Sequence, residues 1–128
     1  TLLLTRRAMS LQYPPSDPRH GIVSGLDEGD DFIHMYFHQS NTTHYYCHTA
    51  EAYRGFVELG DVWQRVGRQL GRNDIASHGA DLLAVAEQLF ADLHRSMNAT
   101  VNTTSSPGHN CYPTRADGWG TFHGPNFR

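Results

Sequence analysis

Two apolar stripes with helical spacing lie close together in the chain, and they constrain its fold more than any other feature. Both stripes repeat at intervals of three or four residues, which is the spacing of one face of an α-helix. The first consists of Ala52, Phe56, Leu59, Trp63, Val66 and Leu70, and the second of Ile75, Gly79, Leu82, Ala86, Leu89, Leu93 and Met97. We therefore predict amphipathic helices over about 45–70 and 73–98.

Only about three residues separate these helices, so the chain must reverse direction between them. Gly71 suits the position just after the first helix, where a left-handed backbone ends many helices. Asn73 or Asp74 can cap the second helix by accepting a hydrogen bond from a backbone N–H. The sequence thus predicts one long antiparallel helical hairpin.

The hairpin is flanked by segments with little periodicity. Residues 1–12 are predicted to be the end of a helix, because Leu4, Ala8 and Leu11 fall on one face. Prolines then break the chain, and 13–44 is predicted to be an acidic, histidine-rich and aromatic loop region. Residues 99–128 form a predicted irregular tail. The predicted fold class is all-α, an antiparallel helical hairpin with long irregular flanks in one 128-residue unit.

Composition excludes several classes of protein. The formal net charge is −3, so no basic surface for nucleic acid is predicted. No run approaches the roughly 18 apolar residues that a membrane span needs. The spacing from Gly21 to Gly25 lacks the Lys of a phosphate loop, and no dinucleotide fingerprint is present. We therefore predict no cofactor.

Three glycosylation sequons begin at Asn41, Asn98 and Asn102. The two cysteines, Cys47 and Cys111, can pair in an oxidising compartment. Accidental sequons and two buried thiols, or one metal-ligating thiol, are the alternatives. The combination favours a secreted, extracellular glycoprotein with a Cys47–Cys111 disulfide.

Three segments in this order resemble one family. They are Asp17-Pro18-Arg19-His20-Gly21-Ile22-Val23-Ser24-Gly25 with Glu28 and Asp30, Tyr45-Tyr46 with Glu51-Ala52-Tyr53-Arg54-Gly55-Phe56, and Cys111-Tyr112-Pro113 with Ala116-Asp117-Gly118. Together with the hairpin they are similar to six-hairpin, (α/α)6-toroid glycosidase-like proteins. The resemblance implies a carbohydrate substrate and a toroid of about six hairpins, of which this chain would supply one.

Glycoside hydrolysis needs two carboxyl groups, one acting as an acid and the other as a base or nucleophile. Four carboxylates lie between Asp27 and Asp31, and crowding raises the pKa of such groups. Glu28 and Asp30 are the predicted catalytic pair, because they fit the family-like turn. A solvated acidic loop or a weak Ca²⁺ site is the alternative.

Substrate binding is predicted for Tyr46, Arg54 and Trp119. The two aromatic side chains can stack on sugar rings, and Arg54 can bind a carboxylate with two hydrogen bonds. In the alternative, Tyr46 packs the hairpin core and Arg54 pairs with Glu51 or with a loop acid.

Two other functions compete with a carbohydrate-active enzyme. One is a non-catalytic extracellular structural or sugar-binding glycoprotein that assembles with other chains. The other is a metal-binding module, since His34 and His38 are four residues apart, as are His44 and His48. The wide stripes, a first residue Thr1 and a last residue Arg128 lead us to expect part of a larger polypeptide or an assembly with other subunits.

Overall fold

The computed structural model describes residues 2–25, 43–101, 113, 115 and 116. These residues form three helices and no strand, which confirms the all-α prediction: α1 is Leu2–Ser10, α2 is Tyr46–Gln69 and α3 is Asn73–Thr100. Helices α2 and α3 pack along their whole lengths as an antiparallel hairpin. None of the helices described is both long and apolar enough to cross a membrane. The toroid stays a prediction.

The turn between α2 and α3 ends α2 in the way that its glycine predicts. Gly71 has a φ of 64°, and its N–H donates to the carbonyl of Arg68 at 3.3 Å. The Arg72 N–H donates to the carbonyl of Gly67 at 2.8 Å. These two bonds define a Schellman motif, which satisfies carbonyl groups that the last helical turn leaves without partners.

The predicted cap of α3 is wrong. Arg72 occupies the N-cap position and no side chain caps the helix there, while Asn73 is already the first helical residue. The Asp74 carboxylate instead accepts hydrogen bonds from the Arg72 guanidinium at 2.6 and 2.9 Å. Arg72 therefore binds the carboxylate at the positive end of the helix dipole, where a negative charge is stabilising.

Close contact between α2 and α3 depends on three glycines. A Cβ atom at Gly67 would lie 2.4 Å from the Ala76 backbone nitrogen, and one at Gly79 would lie 2.7 Å from the Gly60 carbonyl oxygen. Side chains cannot occupy these positions, so the two backbones touch directly. Dispersion attraction between closely packed atoms replaces the usual interlocking of large side chains.

The line of contact on α2 differs from the predicted stripe. Gly60 and Gly67 are buried, whereas Leu59, Val66 and Leu70 are exposed. The glycines permit the closest approach of the backbones, so α2 is rotated to bring them, rather than the larger residues, against α3. The predicted stripe thus divides between two faces of α2, and one of them stays at the surface.

The irregular segment that precedes α2 completes the core. Ile22 packs with Tyr46, Leu93 and Ala116 in one buried cluster. Val23, the next residue, packs with Ala52 and Leu89 in a second cluster. Two successive residues of one segment therefore pack against adjacent parts of the hairpin, at the end far from its turn.

Candidate functional site

The segment from Tyr13 to Gly21 is fixed on α3 through its backbone carbonyl groups. The Arg95 guanidinium donates to the carbonyls of Pro15 at 3.0 Å and Asp17 at 3.2 Å, and also to that of His20. The Ser96 hydroxyl donates to the Pro18 carbonyl at 2.5 Å. Turn bonds within the segment engage the carbonyls of Pro14, Asp17 and Arg19, and α3 supplies donors to further carbonyls.

Asp17 organises the same segment from within. Its carboxylate accepts bonds from the Arg19 guanidinium at 2.7 and 3.0 Å and from the Arg19 N–H at 2.9 Å. The guanidinium carbon lies 4.0 Å from the centre of the Tyr13 ring, in a cation–π contact. The hydrogen bond from the Arg19 side chain lowers the pKa of Asp17 to about 2.

Gly21 permits the chain to pass directly over α3. Its φ is 76°, and a Cβ at this position would lie 2.1 Å from an Asp92 carboxylate oxygen. The Asp92 carboxylate lies between Arg7, 2.8 Å away, and Arg95, 3.8 Å away. Asp92 therefore connects α1 and α3 beneath the turn of the segment.

The described residues that precede the acidic region end beside the start of α2. The Val23 N–H donates to the Thr49 hydroxyl at 2.9 Å, and the Gly25 N–H donates to the Thr43 carbonyl at 2.9 Å. Gly25 also packs on the His48 ring, since a Cβ there would lie 2.6 Å from two ring atoms. Gly25 and Thr43, which flank 26–42 in the sequence, are therefore held together. Glu28 and Asp30 lie outside the described residues.

Part of the tail returns to the same place. Tyr45 pairs with Arg115 in an antiparallel bridge, and the Ala116 N–H donates to the His44 carbonyl at 2.9 Å. Cys47, which is half-buried, follows Tyr45 by two residues. Cys111 and Trp119 lie outside the described residues, so the disulfide and the role of Trp119 stay predictions.

Tyr46 and Arg54 occupy contrasting positions. The Tyr46 side chain is only 7% exposed, and its hydroxyl hydrogen-bonds those of Ser96 at 3.0 Å and Thr100 at 2.7 Å. This position matches the alternative in which Tyr46 packs the hairpin core. Arg54 is exposed, and its guanidinium lies 2.9 Å from the carboxylate of Glu58, one turn further along α2.

The histidines do not converge in the part of the chain that the structure describes. His44 is buried, with its ring edge-on to Tyr13 at 5.5 Å, and His48 is edge-on to Tyr45 at 5.5 Å. No group of three or more His, Cys, Asp or Glu side chains within the described ranges is arranged to hold a metal ion. His34 and His38 lie outside those ranges.

A groove of about 410 Å³ runs between α1 and the first half of α2. Arg6, Ser24, His48 and Glu51 contribute polar groups to it. Its other lining residues are apolar or lack a side chain: Leu3, Val23, Ala52, Gly55, Phe56 and Leu59. The apolar stripes do not reveal this groove, but a glycine in the middle of a strongly periodic helix, Gly55, marks its position in the sequence.

Of the three sequon asparagines, Asn98 is described. It is exposed near the end of α3, and the hydroxyl of Thr100 in the same sequon contacts Tyr46. Asn41 and Asn102 lie outside the described residues. Glycosylation of all three stays a prediction.

Comparison with models of protein families, with curated proteins and with solved structures found no match.

Proposed function

We propose that this chain is a piece of a secreted, carbohydrate-active protein of glycosidase type, built from helical hairpins. Glu28 and Asp30 act as its catalytic acid and base or nucleophile. The observation that carries the proposal is the anchoring of Asp17–Gly25, the stretch whose sequence resembles the glycine turn of the glycosidase-like family. Its Pro18 carbonyl is bound by Ser96 on α3, and its last residue, Gly25, is bound to Thr43 beside the start of α2.

A catalytic carboxylate needs a rigid support, because hydrolysis requires the two groups at a defined separation of about 5–10 Å. Arg95 and Ser96 supply that support by binding four carbonyl groups of the segment. In the sequence, Glu28 follows Gly25, the last described residue of this segment, by three positions. The anchoring of the residues just before the acidic run therefore supports the assignment of Glu28 and Asp30.

The charge of the region also suits an acid–base pair. The basic side chains near the fixed segment are already engaged, since Arg19 binds Asp17 and Arg7 binds Asp92. Crowded carboxylates raise each other's pKa, and a general acid must hold its proton near neutral pH. The four acidic residues in 27–31 are the sequence feature that supports such a pair.

The proposal can be tested with the 128-residue chain and a panel of soluble polysaccharides and aryl glycosides. Release of reducing ends measures hydrolysis, and isothermal titration calorimetry measures binding. Glu28→Gln and Asp30→Asn should each lower the hydrolysis rate by at least about 100-fold, as removal of a general acid or base does. Asp61→Asn is the control, since Asp61 is exposed on α2 and pairs with Arg65.

Absence of both hydrolysis and binding for every glycan would contradict the proposal. Binding without hydrolysis, unchanged in Glu28→Gln and Asp30→Asn, would also contradict it and would favour a non-catalytic sugar-binding glycoprotein. Circular dichroism of each variant ensures that a lost rate is not lost folding.

A second candidate is a non-catalytic extracellular protein that assembles with other chains. The apolar face that α2 turns away from α3 favours it. Leu59, Val62, Val66 and Leu70 are between 39% and 66% exposed, and contiguous apolar surface of this kind marks interaction sites.

A further inference from the structure

Helix α2 carries a second line of apolar residues, which we call the outer stripe: Gly55, Leu59, Val62, Val66 and Leu70. Their spacing of four, three, four and four residues places them on one face of the helix. The four large members are exposed, although each belongs to a residue type that is usually buried. The outer stripe therefore has the pattern of a helix–helix interface without a helix on it among the described residues.

Gly55 differs from the other described glycines of the hairpin helices. Gly60, Gly67 and Gly79 each lie against the facing helix, and a Cβ there would meet atoms within 3 Å. A Cβ at Gly55 would meet nothing within 4 Å. Glycine inside a helix costs about 1 kcal/mol relative to alanine. Contacts within the described structure do not require Gly55, and its effect is to leave a hollow in the wall of the groove.

The two halves of the outer stripe complement each other. Its first half borders the groove, where Ala52 and Gly55 leave room, and its second half presents the exposed side chains of Val66 and Leu70. If two copies of α2 align antiparallel about an axis near Asp61, each half meets the other. Leu59 then lies against Val62 of the second copy, Val66 reaches Gly55, and Leu70 reaches the groove beside Ala52.

Charges beside the stripe fit the same alignment. Glu58 and Arg65 are seven residues apart, so they lie on the same side of α2. About the same axis, Glu58 of each copy meets Arg65 of the other. Each has a partner one turn away at 2.9 Å within its own helix, and these side chains are 58–72% exposed. Exposed pairs of this kind are weak, so they exchange partners at little cost.

We propose that the occupant of the outer stripe and the groove is a second copy of this chain, bound through antiparallel α2 helices. The two-fold arrangement is closed, because the same surface serves both copies. It has an apolar centre with charged residues at its edge, as protein interfaces do. The proposal does not depend on carbohydrate activity.

Analytical ultracentrifugation of the whole chain tests the proposal, over concentrations up to about 0.1 mM, a range in which a micromolar complex is fully formed. The expected result is a monomer–dimer equilibrium. Gly55→Leu fills the hollow and should raise the dissociation constant at least about tenfold. Since a Cβ at Gly55 meets nothing within 4 Å in the described structure and leucine favours a helix more than glycine, the variant should unfold no more readily than the wild type. Ala91→Leu, at an exposed site on α3, is the matched control and should leave the dimer intact.

A charge-reversal pair tests the register. Glu58→Arg should weaken the dimer, and Glu58→Arg combined with Arg65→Glu should restore it. A wild-type chain that stays monomeric would overturn the proposal and would favour a helix from elsewhere in a longer polypeptide. A dimer that Gly55→Leu leaves unchanged would also overturn it, since the second copy would then bind elsewhere.

Discussion

The two ends of the α2–α3 hairpin are held together by different kinds of contact. Near the turn, Gly60, Gly67 and Gly79 bring the backbones into direct contact. At the far end, Tyr46, Arg95 and Ser96 form hydrogen bonds, both between the helices and to the segment that precedes α2. One end therefore depends on the absence of side chains, and the other depends on polar side chains at particular positions.

This difference follows from what each end must hold. The turn joins two regular helices, whose backbone groups are already bonded within the helix, so close packing is sufficient. The far end must hold an irregular segment whose carbonyl groups need partners. Polar anchors are also directional, and they fix the position of the described segment that ends at Gly25. The end of the hairpin that holds the segment before the acidic run is thus the end where position is defined by hydrogen bonds.

The largest expected effect is at the glycine contact. Gly67→Ala places a Cβ 2.4 Å from the Ala76 nitrogen, so the helices must separate, and overpacking of this kind should cost about 3 kcal/mol of unfolding free energy. Gly55→Ala is the control, since the same change in open space should raise the unfolding free energy by up to about 1 kcal/mol. Urea denaturation measures both. Equal effects of the two substitutions would contradict the close contact of the turn end.

The next largest effect is expected at the polar end. Arg95→Met keeps the length of the side chain but removes the guanidinium that donates to the carbonyls of Pro15, Asp17 and His20. The Asp17 carbonyl keeps its bond from the His20 N–H. We expect the unfolding free energy to fall by about 2 kcal/mol and amide hydrogen exchange in 14–25 to become faster. Arg68→Met, at an exposed position of α2, is the control, since it removes one exposed hydrogen bond to Gln64. If exchange in 14–25 is unchanged, Arg95 does not fix the segment.

Much of the fold can be predicted from the sequence. The two stripes predict both helices within one or two residues of their ends, because helical periodicity is a local property. The rotation of α2 cannot be predicted in this way. Leu59 and Gly60 are adjacent, and a scale of hydrophobicity favours Leu59 for the interior. The close approach that makes Gly60 the buried residue depends on Gly79 in the other helix.

The candidate site is less predictable. The order Asp17 to Gly25 marks a distinctive turn, but Arg95 and Ser96, which hold it, lie about 75 residues away and have no local signal of their role. The hydroxyl of Tyr46 likewise finds its partners 50 and 54 residues away. Hydrogen bonds between distant parts of the chain appear only after the helices are paired in the correct register.

A smaller effect is expected for Tyr46→Phe. The substitution keeps the ring in its buried cluster and removes the hydroxyl that joins Ser96 and Thr100. Loss of these bonds should lower the unfolding free energy by about 1.5 kcal/mol, because the Ser96 hydroxyl is buried and that of Thr100 is partly buried. Tyr53→Phe is the control, since it keeps the aromatic ring, whose centre lies 5.1 Å from that of the Phe90 ring. Thermal unfolding that is the same for both variants would show that the Tyr46 hydroxyl contributes nothing to the polar end.

The smallest expected effect is a difference between the two ends of the hairpin in how their carboxylates contribute to stability as the pH falls. The pKa values of Asp17 and Asp74 are both lowered to about 2 by hydrogen bonds from arginine side chains. A lowered pKa stabilises the folded state above the ordinary value near 4, and the stabilisation is lost as the pH falls toward 2. For Asp17, whose side chain is 21% exposed, we expect about 1 kcal/mol after allowance for solvent screening.

Asp17→Asn should therefore have a lower unfolding free energy than the wild type at pH 5, as measured by urea denaturation. Near pH 2 the two proteins should have similar unfolding free energies, because the wild type has lost this stabilisation. Asp74 pairs with Arg72 at the turn, and both side chains are more than half exposed. Salt screens exposed charges more than partly buried ones. In 1 M NaCl the effect of Asp74→Asn should disappear, while that of Asp17→Asn should persist. If salt abolishes both effects equally, Asp17 does not belong to the fixed polar end, and its bond to Arg19 is a surface contact like that at the turn.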